Sequence, residues 1–171
     1  PPEPNTWESE FVEGTALQYL WLVPHDPEGL FFTLGGEAEA LARLDEMMIE
    51  GEAEAKLREQ GLYGTWYWHG NEPGLHIPWL FALAGDRLST QHWVDHLLST
   101  AYGTGADGLA GNDDGGTLSA WAVFASLGIY PLAGTDRYVL GQPRFDRVEL
   151  RPEGSDRVLS FVRTQDGSPG E

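Results

Sequence analysis

The chain of 171 residues contains no cysteine. This absence excludes a disulfide framework, a thiolate zinc site and a cysteine nucleophile. Basic residues are also scarce, because 10 lysines and arginines stand against 27 aspartates and glutamates, for a formal net charge of -17. A surface of that sign repels phosphate backbones and anionic lipid heads. We therefore expect neither nucleic acid nor a membrane surface as a partner.

Long apolar runs and several enzyme motifs are missing as well. No segment has the roughly 18 apolar residues that are needed to cross a bilayer, and residues 1–7 lack the basic and then apolar pattern of a signal peptide. The sequence also lacks the Gly-x-x-x-x-Gly-Lys phosphate loop, the Gly-x-Ser-x-Gly nucleophile elbow and the His-Glu-x-x-His zinc pair. The sequence therefore does not support a nucleotide-dependent enzyme with that loop, a serine hydrolase with that elbow or a zinc protease with that pair.

What the sequence does contain is a series of helical patterns followed by short strands. Apolar residues recur at helical spacing over residues 11–23, 37–50, 73–84, 89–102 and 118–127, with residues 52–60 either extending the second helix or forming a short one. Beyond Pro131 the pattern favours strands at residues 137–140, 147–150 and 158–164. We predict a mainly α unit over residues 1–132, part of an α/α toroid with its site on the loops at one end, and a β-rich segment over residues 133–171.

A first candidate for chemistry is Glu13, which stands beside Gly14 at the entrance to a mainly apolar helix. A carboxyl group there would be partly shielded from water, an environment that suits a general acid at neutral pH. The alternative is that Glu13 only stabilises the N-terminus of the helix, where acidic side chains interact favourably with the helix dipole.

A second candidate is the run over residues 63–73, in which three consecutive aromatics (residues 66–68) precede His69, Asn71 and Glu72. Sugars have apolar faces that stack on aromatic rings, and hydroxyl groups that need polar donors and acceptors. This composition favours a carbohydrate ligand. The alternative is that the aromatics belong to the core and the polar residues form a capped turn.

A third candidate is the glycine-rich acidic run over residues 107–116, which contains Asn112, Asp113 and Asp114 and leads into a helix. Adjacent carboxylates among glycines suit the activation of a water molecule or the binding of a hard cation such as calcium. A solvated turn is the alternative. Together with Glu13, however, these acids fit glycoside cleavage with inversion, in which one carboxyl group protonates the leaving oxygen and a second activates water.

In this order and at about this spacing, these stretches resemble the signature of glycoside hydrolase family 92, and the resemblance runs from Phe11 to Phe145. It is carried by Glu13-Gly14 with Gln18-Tyr19, Trp21-Leu-Val-Pro-His-Asp26, His69-Gly-Asn-Glu-Pro73, Gly111-Asn-Asp-Asp-Gly115, Ser119-Ala-Trp121, Leu127-Gly128 and Tyr130-Pro131. The resemblance implies an (α/α)6 catalytic domain that follows a β-sandwich, so that an N-terminal part of the same polypeptide is missing here. It also implies a calcium-dependent, inverting exo-α-mannosidase, secreted or periplasmic, that removes terminal α-linked mannose from an oligosaccharide or glycan, with α-1,2 as the expected linkage.

The resemblance also implies roles for individual residues. Glu13 resembles the general acid and Asp114 the general base, with Asp113 as a second catalytic candidate. The residues that it implies in substrate binding are Gln18, Trp68, His69, Asn71, Glu72 and Asn112. Asn71 and Glu72 are also the candidate calcium ligands, and Glu72 is a rival for the acid role.

The chain departs from the family pattern at several positions. Where this chain has Thr15 and Leu17, family members usually have Asn and Trp. They have Ser-His in place of Gly74-Leu75 and Gln-Met in place of Thr117-Leu118. These positions bear on substrate preference and on activity. Two alternatives therefore stay open, namely an inactive or mannose-binding homologue and a different (α/α)6 glycosidase that acts on a glucoside without a metal.

Overall fold

A computed structural model describes residues 11–55 and 64–164, and in that part of the chain helices come first and short strands follow. The α-helices are α1 Ala16–Tyr19, α2 Pro27–Leu34, α3 Glu37–Ala53, α4 Ile77–Leu83, α5 Arg87–Thr100 and α6 Thr117–Leu127, with a 3-10 turn at Glu72–Gly74. The strands are β1 Ile129–Pro131, β2 Tyr138–Leu140, β3 Arg147–Leu150 and β4 Leu159–Val162. The predicted class, mainly α with a few C-terminal strands, is confirmed.

The first helix is much shorter than its apolar pattern suggested. The sequence predicted a helix over residues 11–23, whereas α1 spans only Ala16–Tyr19. Thr15 starts it with a capping box, in which its hydroxyl accepts from the Gln18 backbone N–H at 3.3 Å while Gln18 Oε1 accepts from the Thr15 N–H at 3.1 Å. Just upstream, Glu13 has φ 52°, which no right-handed helix accommodates. Glu13 therefore precedes the helix instead of lying in its first turn.

A second helix, α2, was not predicted at all. Asp26 caps it by accepting the Gly29 N–H at 3.0 Å, Pro27 occupies its first turn, and Gly35 ends it with φ 108°. Helix α3 begins at Glu37, as predicted, and runs to Ala53. Residues 56–60 of the uncertain 52–60 stretch lie outside the described residues.

Helix α4 forms the centre of the core. Its residues from Ile77 to Phe81 are all buried, and it packs against α5, α3 and α2. Helix α5 begins earlier than predicted, because Asp86 caps it in place of Ser89. The Asp86 carboxylate accepts the Ser89 N–H at 3.0 Å and the Ser89 hydroxyl at 2.7 Å. Over residues 11–55 and 64–164, every helix is too short or too polar to span a bilayer.

The strands form two antiparallel pairs. Strands β3 and β4, which were predicted, pair with Arg147 opposite Val162. Strand β2, also predicted, pairs with β1, which was not, and Ile129 lies opposite Leu140. Val139 in β2 is buried against the helical core, and β2 contacts α4. Strand β2 therefore packs on the helices, while the division at residue 132 stays a prediction.

Candidate active site

Hydrogen bonds hold residues 11–19 against residues 64–73. The Thr15 hydroxyl donates to the Thr65 carbonyl at 2.8 Å, and Gln18 Nε2 donates to the Trp66 carbonyl at 2.7 Å. From the other side, Asn71 Nδ2 donates to the backbone carbonyl of Glu13 at 2.7 Å. The first two motifs, which are about 50 residues apart in sequence, therefore form one surface.

The second and third motifs meet through their backbones. A Cβ atom at Gly111 would lie 2.2 Å from the Gly70 carbonyl oxygen, and one at Gly70 would lie 2.6 Å from the Ala110 carbonyl oxygen. Both distances are far inside van der Waals contact, so only glycine fits at either position. The loop that carries Asp113 and Asp114 therefore lies directly against the turn that carries Asn71.

The two proposed catalytic carboxylates share an uncommon backbone conformation. Glu13 has φ 52° and Asp114 has φ 47°, and they are the non-glycine residues with positive φ among those that the structure describes. This left-handed region costs an L-residue roughly 1–2 kcal/mol, and such strain is concentrated at functional sites. Both residues are exposed, so the expected partial shielding of Glu13 is not present in this part of the chain.

Asp113 has a different position from Asp114. Its carboxylate accepts the Ser119 N–H at 2.9 Å and the Ser119 hydroxyl at 3.0 Å, and its carbonyl accepts the Thr117 N–H at 2.7 Å. These bonds fix the start of α6. Asp114 is exposed, and the Thr117 hydroxyl bonds to its backbone carbonyl, not to its carboxylate. Of the two, Asp113 is the one whose carboxylate is engaged by Ser119, and Asp114 is the more exposed residue.

Two of the residues proposed to bind sugar lie inside the structure. Gln18 is only 7% exposed and makes its side-chain bonds to the backbone of residues 15, 64 and 66. His69 is 4% exposed, with Nδ1 2.6 Å from the Tyr67 hydroxyl and Nε2 2.8 Å from the Tyr102 hydroxyl. Burial lowers the pKa of His69 to about 3. In this structure both side chains use their polar atoms on the protein itself.

The remaining candidates lie at the surface or close to it. Glu72 and Asn112 are exposed, whereas Trp68 and Asn71 are partly buried. Asn71, Glu72 and Asn112 belong, with Glu13 and Asp114, to the segments at which the three motifs meet. A cavity of about 760 Å³ opens between the ends of α3 and α5, and Trp68 and His69 are among the residues that line it, whereas neither Glu13 nor Asp114 does.

Most of the departures from the family pattern lie at packing positions. Thr15, Leu75 and Leu118 are 1%, 4% and 0% exposed. Leu17 is partly buried, and Thr117 is exposed at the start of α6. Because the three buried side chains have no free surface for a ligand, their changes alter packing beneath the site.

The donor atoms do not amount to a calcium site. Asn71 uses its amide nitrogen on Glu13, which leaves its oxygen as a potential ligand beside the exposed Glu72. Calcium takes six to eight oxygen ligands, yet the described residues bring together no group of three or more His, Asp or Glu side chains. The part of the chain that the structure describes therefore does not fit a complete site.

Comparison with known proteins identifies the family. The profile of the glycosyl hydrolase family 92 catalytic domain matches residues 1–166. The chain belongs to glycoside hydrolase family 92. A family 92 inverting mannosidase from Bacteroides thetaiotaomicron VPI-5482 superposes with a TM-score of 0.77 at 32% identity, over 94% of this chain and 23% of that one. A family 92 α-mannosidase from Bacteroides thetaiotaomicron gives 0.70 at 32% identity, over 98% of this chain and 20% of that one.

A relative with a curated sequence is more distant. An uncharacterized secreted glycosidase from Arthroderma benhamiae is 27% identical over 149 residues, which are 87% of this chain and 16% of that protein. This family 92 chain thus spans about a fifth of the length of the proteins that it matches. The recognised stretches all lie within the matched region, which supports their assignment to the family's catalytic domain.

Proposed function

We propose that this chain, within a longer polypeptide, hydrolyses the glycosidic bond of a terminal α-linked mannose with inversion. The observation that carries the proposal is the meeting of the three motifs, through the Asn71–Glu13 hydrogen bond and the Gly70–Gly111 contact, at one exposed edge. Membership of family 92, and the inverting mannosidase among the similar structures, support this chemistry.

In the proposed mechanism, Glu13 protonates the glycosidic oxygen as the bond to the anomeric carbon breaks. Asp114 removes a proton from a water molecule that attacks the anomeric carbon from the opposite face, so the configuration inverts. The exposed carboxylate of Asp114 suits this role better than that of Asp113, which is engaged with Ser119. The left-handed conformations of Glu13 and Asp114 support a functional reason for keeping acids at these positions.

The rest of the site is proposed to come from Asn71, Glu72 and Asn112, which lie in the same segments, and from Trp68, which lines the cavity between α3 and α5. Glu72 stays the rival for the acid role, since it is exposed in the turn that holds Glu13. The (α/α)6 toroid, the boundary at residue 132, the α-1,2 preference and an extracytoplasmic location belong to the same proposal. Calcium dependence also belongs to it, with most ligands supplied from outside the described residues.

The test is the release of mannose from α-1,2-, α-1,3- and α-1,6-mannobiose by the full polypeptide, with calcium or with a chelator. NMR of the first-formed anomer would report inversion. We expect β-mannose as the first product, release only with calcium, and the highest rate with the α-1,2 isomer. Metal-independent release of glucose from an α-glucobiose, without action on mannobiose, would instead indicate the other glycosidase.

A binding homologue gives a different result. It would bind the disaccharide by calorimetry, would release no sugar in either condition, and would keep its affinity when Glu13→Gln and Asp114→Asn are introduced together. That outcome would overturn the proposed hydrolysis while leaving the family assignment intact.

A further inference from the structure

A buried chain of hydrogen bonds lies beneath the site and joins two of its loops. It runs from Tyr67 through His69 to Tyr102 and ends at the backbone carbonyl of Leu118, with distances of 2.6, 2.8 and 3.0 Å. The rings of Tyr102 and Trp121 pack on His69, with centroid distances of 5.4 and 4.3 Å. We refer to Tyr67, His69 and Tyr102 as the His69 relay.

In the His69 relay, one arrangement of the hydrogen atoms gives every donor an acceptor. The Tyr102 hydroxyl has a single hydrogen, which it donates to the Leu118 carbonyl, so its oxygen accepts from His69 Nε2. A neutral imidazole carries one N–H, which leaves Nδ1 to accept the Tyr67 hydroxyl. In the opposite tautomer, the Tyr102 hydroxyl would donate to His69 instead of to the Leu118 carbonyl. The lost hydrogen bond to Leu118 would cost about 1 kcal/mol of stability.

The electrostatic environment agrees with this assignment. Burial, and secondarily the charge of Asp113, raise the pKa of Tyr102, which keeps its hydroxyl protonated and able to donate.

We propose that His69, as the Nε2–H tautomer, is a positioning residue that fixes the turn carrying Asn71 and Glu72 relative to the loop carrying Asp113 and Asp114. His69 directly precedes Gly70 and Asn71 in the turn, and Asn71 holds the carbonyl of Glu13. At the other end, Leu118 lies in the first turn of α6, which Asp113 anchors. The relay thus sets the spacing between the two loops that hold the proposed acid and base.

The Gly70–Gly111 contact limits how the spacing between these two loops can change. With the two backbones already touching, the loops cannot move closer, and the His69 relay keeps them from moving apart. A phenyl ring at position 69 is larger than imidazole and would leave the hydroxyl of Tyr67 and the oxygen of Tyr102 without these bonds. Tyr102→Phe removes only a hydroxyl and keeps the imidazole, so it tests the hydrogen bonds separately from the packing.

The experiment compares His69→Phe, His69→Gln and Tyr102→Phe in the full polypeptide, with His92→Phe as the control, because His92 is an exposed histidine on α5. Hydrogen exchange measured by mass spectrometry comes first, because it requires no activity. We expect His69→Phe and Tyr102→Phe to speed exchange in residues 64–72 and 103–118 and to leave α3 unchanged. Glutamine can accept through Oε1 and donate through Nε2, so His69→Gln should restore much of the protection.

Kinetics provide the second readout, and this arm rests on the proposed function. A displacement of about 1 Å can cost roughly 100-fold in rate, so we expect kcat of His69→Phe to fall by about that factor with KM changed less than threefold. His69→Gln should recover most of kcat, and His92→Phe should match the wild type. A role in stability alone would lower Tm and leave kcat per folded molecule unchanged.

The two proposals fail in different ways. A wild-type protein that releases no mannose would overturn the proposed function, and the exchange pattern would still decide the role of His69. Unchanged exchange in residues 103–118 in both His69→Phe and Tyr102→Phe would overturn the positioning role, whatever the activity. If His69→Phe does not fold, Tyr102→Phe, which keeps the imidazole, gives the deciding result.

Discussion

The contact between Gly70 and Gly111 leads to a prediction whose size follows from the structure. In Gly111→Ala, the new Cβ would lie 2.2 Å from the Gly70 oxygen, whereas carbon and oxygen approach to about 3.3 Å. The loop that carries Asp114 must therefore move away from the turn that carries Asn71 by about 1 Å. A misplacement of that size can cost roughly 100-fold in kcat, or about 2.7 kcal/mol of transition-state stabilisation.

The control variant lies in the same loop region. In Gly103→Ala the nearest atom to the new Cβ is the Gly108 Cα at 3.5 Å, an ordinary contact, and neither Gly103 nor Gly111 has a left-handed φ. Both variants add one methyl group to the chain, so only the steric overlap differs. We expect kcat of Gly103→Ala to stay within about twofold of the wild type.

The assay is steady-state release of mannose from mannobiose by the full polypeptide, with kcat and KM measured well below the unfolding temperature. Circular dichroism and the thermal midpoint show whether each variant is folded. A folded Gly111→Ala with kcat close to that of Gly103→Ala would refute the reasoning, because it would mean that the two loops can separate without consequence for the chemistry.

Three further predictions concern single side chains. Glu13→Gln removes the proposed proton donor and should lower kcat by roughly 10²–10⁴-fold with a natural leaving group, as measured by mannose release. Asp114→Asn should lower kcat by a similar factor and leave Tm unchanged. Asp113→Ala removes the acceptor of two hydrogen bonds from Ser119, so it should also lower the free energy of unfolding, measured by chemical denaturation, by about 1 kcal/mol. Burial lowers the pKa of His76, so the unfolded chain binds a proton more readily than the folded one. The free energy of unfolding should therefore fall as the pH drops below about 6.5. In unfolding curves measured over a series of pH values, His76→Gln should reduce that fall.

The helices that the sequence predicted well are those whose apolar period coincides with their packing. Helix α3 begins at the predicted residue, and α6 differs from its prediction by one residue at its start. The helix predicted over residues 11–23 failed because the apolar residues continue on both sides of the Thr15 capping box, and periodicity alone does not detect a cap. Helix α2 carries its signal in Asp26, Pro27 and the glycine at its end, which are capping residues and not a period.

The sequence could indicate which segments share one resemblance, but not how each polar side chain in them is used. The three motifs identified from residue type do meet, because Asn71 bonds to Glu13 and Gly70 packs on Gly111. Residue type could not show that Asp113 is held by Ser119 while Asp114 is more exposed. Adjacent acids have the same chemistry in a sequence, and only the fold shows which one is used to start a helix.

Gln18 and His69 show why polar residues inside a motif need not touch the ligand. The irregular backbone of residues 64–72 leaves carbonyl groups that no helix or strand satisfies, and buried backbone groups require partners. Gln18 supplies an N–H donor to the Trp66 carbonyl, and His69 joins the same segment to Tyr102. A site built on loops therefore needs buried polar side chains that hold the loops as well as exposed ones that do the chemistry. For this reason, loss of activity on changing Gln18 or His69 would not by itself indicate a sugar contact, and KM measured beside kcat is what separates the two roles.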